Sequence, residues 1–467
     1  MPVRKYTYYD YTISLCPVCL KRIEAKIVFE DKKVFMLKTC PEHGFQKVLI
    51  ATDIEYYKNI RNYNKPSETP LKFNTKVHYG CPYDCGLCTD HEQHSCLTLV
   101  EITDRCNLSC PTCYAMSSPH YGRHRTVEEV EKMLDIIVAN EGEPDVVQIS
   151  GGEPTIHPDF FEILDIAKKK PIKHLMVNTN GIRIANDPGF AEKLAGYMPD
   201  FEVYLQWDSF RPEVLETLRG KDLTDVRYKA IEKLNELNLS TTLVITLQKG
   251  LNDDEIGKSI EYALQQRCVR GVTFQPVQIA GRFEHEPEKN RLTLTEVRDG
   301  ILSQTNIFQP NDILPVPCNP DALAMGYALK LNGQVFPLTR YIDPAHLLDS
   351  SKNTIVYEQD EKLHEHIFKI FSTAISVDKV TEDMHQLLCC LPQIHAPGLG
   401  YENLFRIIIM RFIDAYDFDV RAIKKSCVHI VSKGGQIIPF ETMNLFYRDE
   451  KEAYLNQLRE RYEQIKF

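Results

Sequence analysis

Long apolar segments are missing from this sequence of 467 residues, since no run has the roughly 20 apolar residues that a membrane-spanning helix needs. The first residues, MPVRKYTYYDYTISL, lack the apolar core and the cleavage site of a signal peptide, so we expect a cytoplasmic protein. An excess of Lys and Arg is also missing, and the net charge of −10 argues against a nucleic-acid partner. Internal repeats and low-complexity tracts are absent, which argues against a solenoid.

Cysteine, in contrast, is abundant. The chain has 15 cysteines, and ten of them lie between Cys16 and Cys113. In a chain without a secretory signal, clustered cysteines favour metal or iron–sulfur binding over disulfides. Cys268 stands apart from the other cysteines and is interpreted as a small buried hydrophobic residue.

The chain divides into four regions by composition. Residues 1–70 contain short β-like stretches with two cysteine pairs and end in the linker NYNKPSETP, and residues 71–96 form a cysteine-rich loop. Residues 97–300 alternate apolar strands with helices, and residues 301–467 form a less regular, cysteine-containing extension that includes the apolar stretch RIIIMRFIDAY. We interpret that stretch as an ordinary core element in preference to the wall of a lipid tunnel.

Six apolar runs between residues 97 and 277 lack polar alternation, which is typical of strands buried in a parallel sheet. Helical periodicity separates them, and Thr126 with Glu129 forms a capping box at the start of one helix. The pattern predicts an α/β fold, a partial (β/α)6 TIM barrel with its chemistry on the loops after the strands. The six runs are LTLVEIT, DVVQIS, HLMVN, EVYLQW, STTLVIT and VTFQPV.

A C-x3-C-x2-C loop directly follows the first predicted strand. Its thiolates, from Cys106, Cys110 and Cys113, can hold three irons of a [4Fe-4S] cluster and leave the fourth iron open. The expected ligand of the open iron is S-adenosylmethionine (SAM), bound through its amino and carboxylate groups. Reductive cleavage of SAM yields a 5′-deoxyadenosyl radical, which abstracts hydrogen from unactivated carbon. These three cysteines are therefore the predicted catalytic centre.

SGGEP follows the second predicted strand, and together with the cysteine loop it resembles the radical SAM superfamily over the whole barrel. The resemblance implies that Gly151 and Gly152 let the backbone approach SAM and that Glu153 receives its amino group. It also suggests further SAM contacts, with Tyr114 packing on the adenine. The residues of these further contacts are Tyr114, Asn180, Gln206, Asp208 and Arg219. For the last four of them, an ordinary capping or surface role is the alternative.

The N-terminal region contains Cys16-Pro-Val-Cys19 and Cys40-Pro-Glu-His43, the spacing of a four-ligand tetrahedral site. One mononuclear ion is expected there. It is either structural Zn²⁺ in a zinc ribbon or iron in a rubredoxin-like electron relay, and the residues alone do not choose between them.

Residues 81–96 contain four cysteines with enough thiolates to ligate every iron of an auxiliary [4Fe-4S] cluster: Cys81, Cys85, Cys88 and Cys96. Such a cluster suits electron transfer to the catalytic one, with ferredoxin or flavodoxin as the external one-electron donor. A zinc site is the alternative. His91 and His94, in the same loop, are interpreted as residues that pack beside the ligands.

The order of motifs from CPVC to SCVHIVSKGGQIIPF resembles the tetraether lipid synthase family over nearly the full chain. The resemblance implies a transferase of lipid biosynthesis that joins two sp3 carbons, consumes two SAM molecules per bond and contacts the membrane peripherally to reach a lipid substrate. The family pattern has two further C-terminal cysteines where this chain has Ala322 and Glu441. The remaining late cysteines form either a third cluster or buried thiols, and they are Cys318, Cys389, Cys390 and Cys427.

Three hypotheses follow from the sequence. A lipid-modifying enzyme predicts a long apolar tunnel that reaches the barrel mouth. A peptide- or small-molecule-modifying radical SAM enzyme predicts a charged groove beside the ribbon. A non-catalytic metal scaffold predicts no release of 5′-deoxyadenosine from SAM.

Overall fold

The computed structural model describes residues 4–63, 69–283, 287–331, 334–340, 344, 403–448 and 451–465. Cys389 and Cys390 lie outside the described residues. Within the described part, no helix combines the length and the apolarity needed to cross a membrane.

The N-terminal region is a four-stranded antiparallel sheet in the order β1-β2-β3-β4. Alternate side chains of β2 and β3, among them Ile27, Val34 and Met36, form a small core. The sequence stretches AKIVFE, KVFMLK and QKVLIA, predicted to be β-like, lie in β2, β3 and β4, and the polar strand β1 is additional. The strands are β1 Thr7–Leu15, β2 Arg22–Glu30, β3 Lys33–Cys40 and β4 Gly44–Ala51.

The central region confirms the predicted α/β barrel of the chain. Six strands pair in parallel, and each lies within a residue or a few residues of its predicted position. β5 is buried along its whole length, as both faces of a barrel strand are covered. The six strands are β5 Leu97–Thr103, β7 Val146–Gly151, β8 His174–Thr179, β9 Phe201–Gln206, β10 Thr241–Leu247 and β11 Val269–Pro276.

Helices cover the outside of this sheet. The predicted capping box of α2 is present, with Thr126 and Glu129 each bonded to the other's backbone N–H. The helices up to residue 304 are α1 Ile54–Asn59, α2 Val127–Glu141, α3 Phe160–Lys169, α4 Ile182–Asn186, α5 Phe190–Ala195, α6 Pro212–Arg219, α7 Thr224–Glu236, α8 Ile256–Gln265, α9 Pro287–Asn290 and α10 Leu294–Gln304.

The C-terminal region continues the barrel sheet. β16 pairs in parallel with β11, and β17 pairs in parallel with β5, so parallel strands extend the predicted six at both ends. The other late strands are antiparallel. The elements are β13 Leu314–Pro315, β14 Leu323–Leu331, β15 Gln334–Pro337, β16 Leu404–Met410, α11 Val420–Lys424, β17 Val428–Val431, β18 Ile437–Pro439, α12 Phe440–Thr442 and α13 Glu452–Ile465.

Side chains of β5 alternate between two cores. Val100 and Ile102 pack with the layer beneath the helices, whereas Leu97 and Leu99 join the core inside the barrel. The interior core includes residues of the C-terminal region such as Met410 and Phe440. The C-terminal region therefore completes the lumen of the barrel.

Candidate functional site at the carboxyl ends of the strands

The cysteine loop begins three residues after β5 ends and crosses the carboxyl end of the barrel. Cys106 and Cys110 are buried, and Cys113 is partly buried. Within this loop β6 (Thr112–Cys113) pairs with β12 (Arg282–Phe283). The Arg282 guanidinium donates to Cys110 O at 2.5 Å and to Ser117 O at 2.8 Å. These bonds anchor the loop that carries the three thiols.

Gly151 and Gly152 bring the second loop against the cysteine loop. Gly151 has φ +130°, and an added Cβ there would lie 2.3 Å from Thr103 O. An added Cβ on Gly152 would lie 2.2 Å from Arg105 O. Because neither backbone oxygen can move away cheaply, only glycine permits this approach.

Glu153 is buried beside the cysteine loop and bound by several donors. One carboxylate oxygen accepts from Thr155 Oγ1 at 2.6 Å and Thr179 Oγ1 at 2.7 Å, and the other accepts from Asn180 N at 2.8 Å. Burial raises the pKa of Glu153, and these hydrogen bonds oppose the shift. Burial, together with the charge of Glu153, also raises the pKa of the Cys106 thiol, so Cys106 requires a cation to ionise.

Asp208 and Arg219 form a buried ion pair after β9. Arg219 binds both carboxylate oxygens, at 2.6 and 2.8 Å, and donates to Gln206 Oε1 at 3.0 Å. Burial disfavours the carboxylate, but Arg219 and Arg227 outweigh that effect and lower the pKa of Asp208. Arg219 and Gln206 line the central cavity, whereas Asp208 lies behind them and positions Arg219.

Two further predicted contacts lie at the edge of the same site. Asn180 binds Asn107 of the cysteine loop, with Nδ2 2.7 Å from Oδ1. The ring of Tyr114 meets Phe440 edge to face, with centroids 4.8 Å apart. Their expected contacts with SAM remain predictions.

A cavity that is open to solvent joins these residues. Its upper wall contains the three cysteines and the predicted SAM-binding residues except Asp208. Its lower wall is largely apolar and reaches Leu97 at the start of β5. Three convergent thiols, a glycine-only turn and a buried arginine fit a [4Fe-4S] cluster with SAM, because the site supplies three ligands and charged groups for an amino acid. The apolar residues of the cavity include Leu97, Leu99, Val277, Met410, Phe412, Val428 and Phe440.

The ribbon ligands are assembled as the spacing predicts. Cys16, Cys19, Cys40 and His43 place one ligand atom each within 4.8 Å of all the others. Burial opposes ionisation of Cys40, but hydrogen bonds from His43 and from backbone N–H groups lower its pKa to about 6. The tetrahedral spacing and the donor types fit one zinc ion.

The four-cysteine group expected in residues 81–96 is divided. Cys85 interacts with Cys81 and with Thr442, and Cys88 lies near Cys85. Cys96 instead lies with Cys318 and Cys427, all three within 4.8 Å of one another. The reason is topological, because Cys96 precedes β5, Cys427 precedes β17, and these strands are paired neighbours.

Ala322 and Glu441 are both buried near this late cysteine set. Ala322 O accepts from Arg411 N at 2.9 Å, and Glu441 accepts from Ser426 Oγ at 2.9 Å. Burial raises the pKa of Glu441 to about 7. Neither position supplies a thiol.

The sequence reasoning missed several residues that shape the site. Arg282 lies 172 residues beyond Cys110, whose carbonyl it binds, and no local signal marks it. Met410, Phe412 and Phe440 come from the C-terminal region. Only the apolar stretch at 406–416 indicated a buried element there.

Comparison with known proteins agrees with this geometry. Residues 100–263 match the model of the radical SAM superfamily, and residues 8–52 match the model described as the HMPTM N-terminal zinc ribbon domain. The 7,8-dihydro-6-hydroxymethylpterin dimethyltransferase of Methanocaldococcus jannaschii is 31% identical over 482 residues, covering 94% of each chain. This chain belongs to the same family of radical SAM enzymes as that relative. The ribbon match favours zinc over the rubredoxin-like iron relay.

Two other proteins match over less than half of this chain. Mycofactocin maturase MftC of Mycolicibacterium smegmatis is 30% identical over 179 residues, which cover 38% of this chain and 44% of the relative. The crystal structure of Streptococcus suis SuiB bound to S-adenosylmethionine matches with a TM-score of 0.37 and 17% identity, over 45% of this chain and 47% of SuiB.

Proposed function

We propose that this radical SAM enzyme abstracts hydrogen from an unactivated sp3 carbon of a lipid alkyl chain and forms a new carbon–carbon bond there. The apolar residues of the cavity carry the proposal, because they line it from Phe440, beside Tyr114 of the cysteine loop, to Leu99 and Leu97 at the start of β5. The six residue steps from Leu97 to Thr103 correspond to roughly 20 Å of strand. An extended alkyl chain suits a lumen of that depth.

The reduced cluster with SAM supplies a 5′-deoxyadenosyl radical, so two SAM molecules and two electrons convert two R–H groups into one R–R bond, two 5′-deoxyadenosines and two methionines.

The protein's own residues bind the reactants and exclude water. Arg219 lies beside Cys110 and Glu153 lies beside Cys106, so the two side chains provide opposite charges for the two ends of an amino acid group. Leu97 and Leu99 line the lower lumen, and Met410 lines the upper lumen beside Gln275. These apolar side chains exclude water, which protects a carbon radical from competing hydrogen donors.

Two partners belong to the same proposal. An external one-electron donor such as ferredoxin or flavodoxin delivers electrons, with the Cys81–Cys85–Cys88 set as the auxiliary [4Fe-4S] cluster. Peripheral contact with a membrane delivers the lipid. The exposed ribbon residues Val18 and Phe45, 66% and 64% accessible, are suited to such a contact.

A second candidate function is methylation of a pterin. The Methanocaldococcus jannaschii relative, a 7,8-dihydro-6-hydroxymethylpterin dimethyltransferase, favours it. The cavity also contains the carboxamides of Gln148, Gln275 and Gln278, which can bind the polar edge of a heterocycle.

Anaerobic turnover separates these functions. Reconstituted enzyme, SAM and reductant are incubated either with perdeuterated diether lipid or with a deuterated 7,8-dihydropterin, and 5′-deoxyadenosine is analysed by mass spectrometry. Deuterium transferred from the lipid, with a product containing the new bond, is the expected result. Transfer only from the pterin would assign the second function, and no 5′-deoxyadenosine with either would overturn radical chemistry.

A Leu99→Gln variant tests the apolar wall. It places an amide in the lower lumen, so we expect lipid turnover to fall by at least about tenfold, as one buried polar group costs over about 1.4 kcal/mol. The substrate-independent release of 5′-deoxyadenosine stays unchanged. The matched control is Leu71→Gln, at an exposed leucine outside the cavity. Equal lipid turnover in both variants would contradict the proposed alkyl site.

A further inference from the structure

Three buried thiols lie where the two ends of the barrel sheet meet. In the described residues the sheet runs from β13 at one end to β18, beside β17, at the other, and no ladder joins the ends. Cys318 follows β13, Cys427 directly precedes β17, and Cys96 directly precedes β5. Cys318 Sγ and Cys427 Sγ are 3.2 Å apart. The thiols therefore connect the β13 end of the sheet to the β17 end.

The three thiols are close enough together to share a single metal ion, since each Sγ lies within 4.8 Å of the other two. Tetrahedral ligands at about 2.3 Å from zinc lie about 3.8 Å from one another. The ribbon site has this spacing, with Cys19 Sγ 3.8 Å from Cys40 Sγ. Thiolates of a [4Fe-4S] cluster each bind a different iron and lie farther apart. Among the described residues, the ribbon ligands and the Cys96 group are gathered within 4.8 Å, whereas the catalytic cysteines are not.

A histidine stands at the edge of the Cys96 group. His94 Nε2 is 3.4 Å from Cys96 Sγ. Its Nδ1 is 3.0 Å from Glu141 Oε2, a carboxylate that is itself buried. A carboxylate that accepts the other ring N–H is the usual partner of a metal-binding histidine, because it directs the unprotonated nitrogen towards the ion.

We propose that one zinc-type ion links the two ends of the barrel sheet. Its ligands are Cys96, Cys318 and Cys427, with His94 as the fourth. The ion takes the place of a third iron–sulfur cluster. Its location, at the amino ends of β5 and β17, is the end of the lumen opposite the cysteine loop. This inference concerns metal content and does not depend on the substrate.

Metal analysis of the wild-type enzyme tests the proposal without any variant. After anaerobic reconstitution and gel filtration, we expect about two zinc ions and about eight irons per chain, for two mononuclear sites and two [4Fe-4S] clusters. Zinc K-edge absorption should give an average of three sulfur ligands and one nitrogen. About one zinc and about twelve irons would overturn the proposal, and so would a Cys318–Cys427 disulfide found by mass spectrometry.

Variants then identify the ligands. Cys318→Ser should lose one zinc and retain its iron, whereas Cys268→Ser, at a buried cysteine outside the site, should lose neither. His94→Ala should raise the sulfur-to-nitrogen ratio at zinc and weaken retention of one ion, and His91→Ala should not. Unchanged zinc spectra in His94→Ala, or zinc loss in a Cys389→Ser/Cys390→Ser double variant, would contradict the assignment of His94.

Discussion

Asp208→Asn removes the negative charge from a largely buried ion pair beside the cavity. Asp208 is fully buried, and it binds Arg219 at 2.6 Å and Arg227 at 3.3 Å. The amide keeps the shape but leaves two guanidinium groups without a counter-ion. Breaking a buried pair costs about 3–5 kcal/mol. We expect about 3 kcal/mol here, because Arg219 is 14% accessible and keeps its bonds to Gln206 and Thr246.

Anaerobic urea denaturation of the holoenzyme measures this loss of unfolding free energy. The control is Asp187→Asn, which breaks the more exposed Arg183–Asp187 pair and should cost less than about 1 kcal/mol. SAM affinity, measured by calorimetry, should fall in Asp208→Asn alone, because Arg219 loses its positioning partner. Equal destabilisation by both variants would refute the reasoning that burial makes the Asp208 pair strong.

Three further outcomes follow from named contacts. Burial, with repulsion from Arg270, lowers the pKa of Lys330 to about 8, so between about pH 8 and 10.5 the unfolded chain holds one more proton than the folded chain. The unfolding free energy should therefore rise with pH in that window, by up to about 1.4 kcal/mol per pH unit. Lys330→Met should remove this slope in urea titrations. Gly152→Ala should weaken SAM binding by about tenfold or more, because overpacking costs about 1–3 kcal/mol. The control Gly434→Ala, whose added Cβ meets nothing closer than 3.8 Å, should bind SAM normally in the same calorimetric assay. Arg282→Met should lose iron from the catalytic cluster faster than the exposed control Arg267→Met during gel filtration, and equal iron retention would show that Arg282 does not hold the loop.

Local spacing was enough to predict the upper half of the site. Cys106, Cys110 and Cys113 share one loop, and Gly151 to Glu153 follow the next strand, so the parallel barrel brings both together at one end. The capping box at Thr126 was equally predictable, because its two residues are three positions apart. Each of these features is determined within one βα unit.

Features that depend on distant segments were not predictable in this way. Cys96 was grouped with Cys81, Cys85 and Cys88 because they are neighbours in sequence. Its actual partner is Cys427, 331 residues later, because β5 pairs with β17. A sequence period shows that a segment is a strand, but not which edge of the sheet that strand joins.

The same pairing explains why the lumen is long. The register sets Val428 opposite Leu97, and the parallel pairing of β16 with β11 leads the chain to Met410 and Phe412, which also line the cavity. Without these strands, the interior of a six-stranded partial barrel would be open to water on one side. The C-terminal region thus adds apolar residues to the wall of the lumen, whereas the central region supplies Leu97, Leu99 and the three thiols. Met410 and Phe412 line the cavity together with Leu97 and Leu99, so exchanging Met410 and Phe412 should change substrate preference without altering SAM binding.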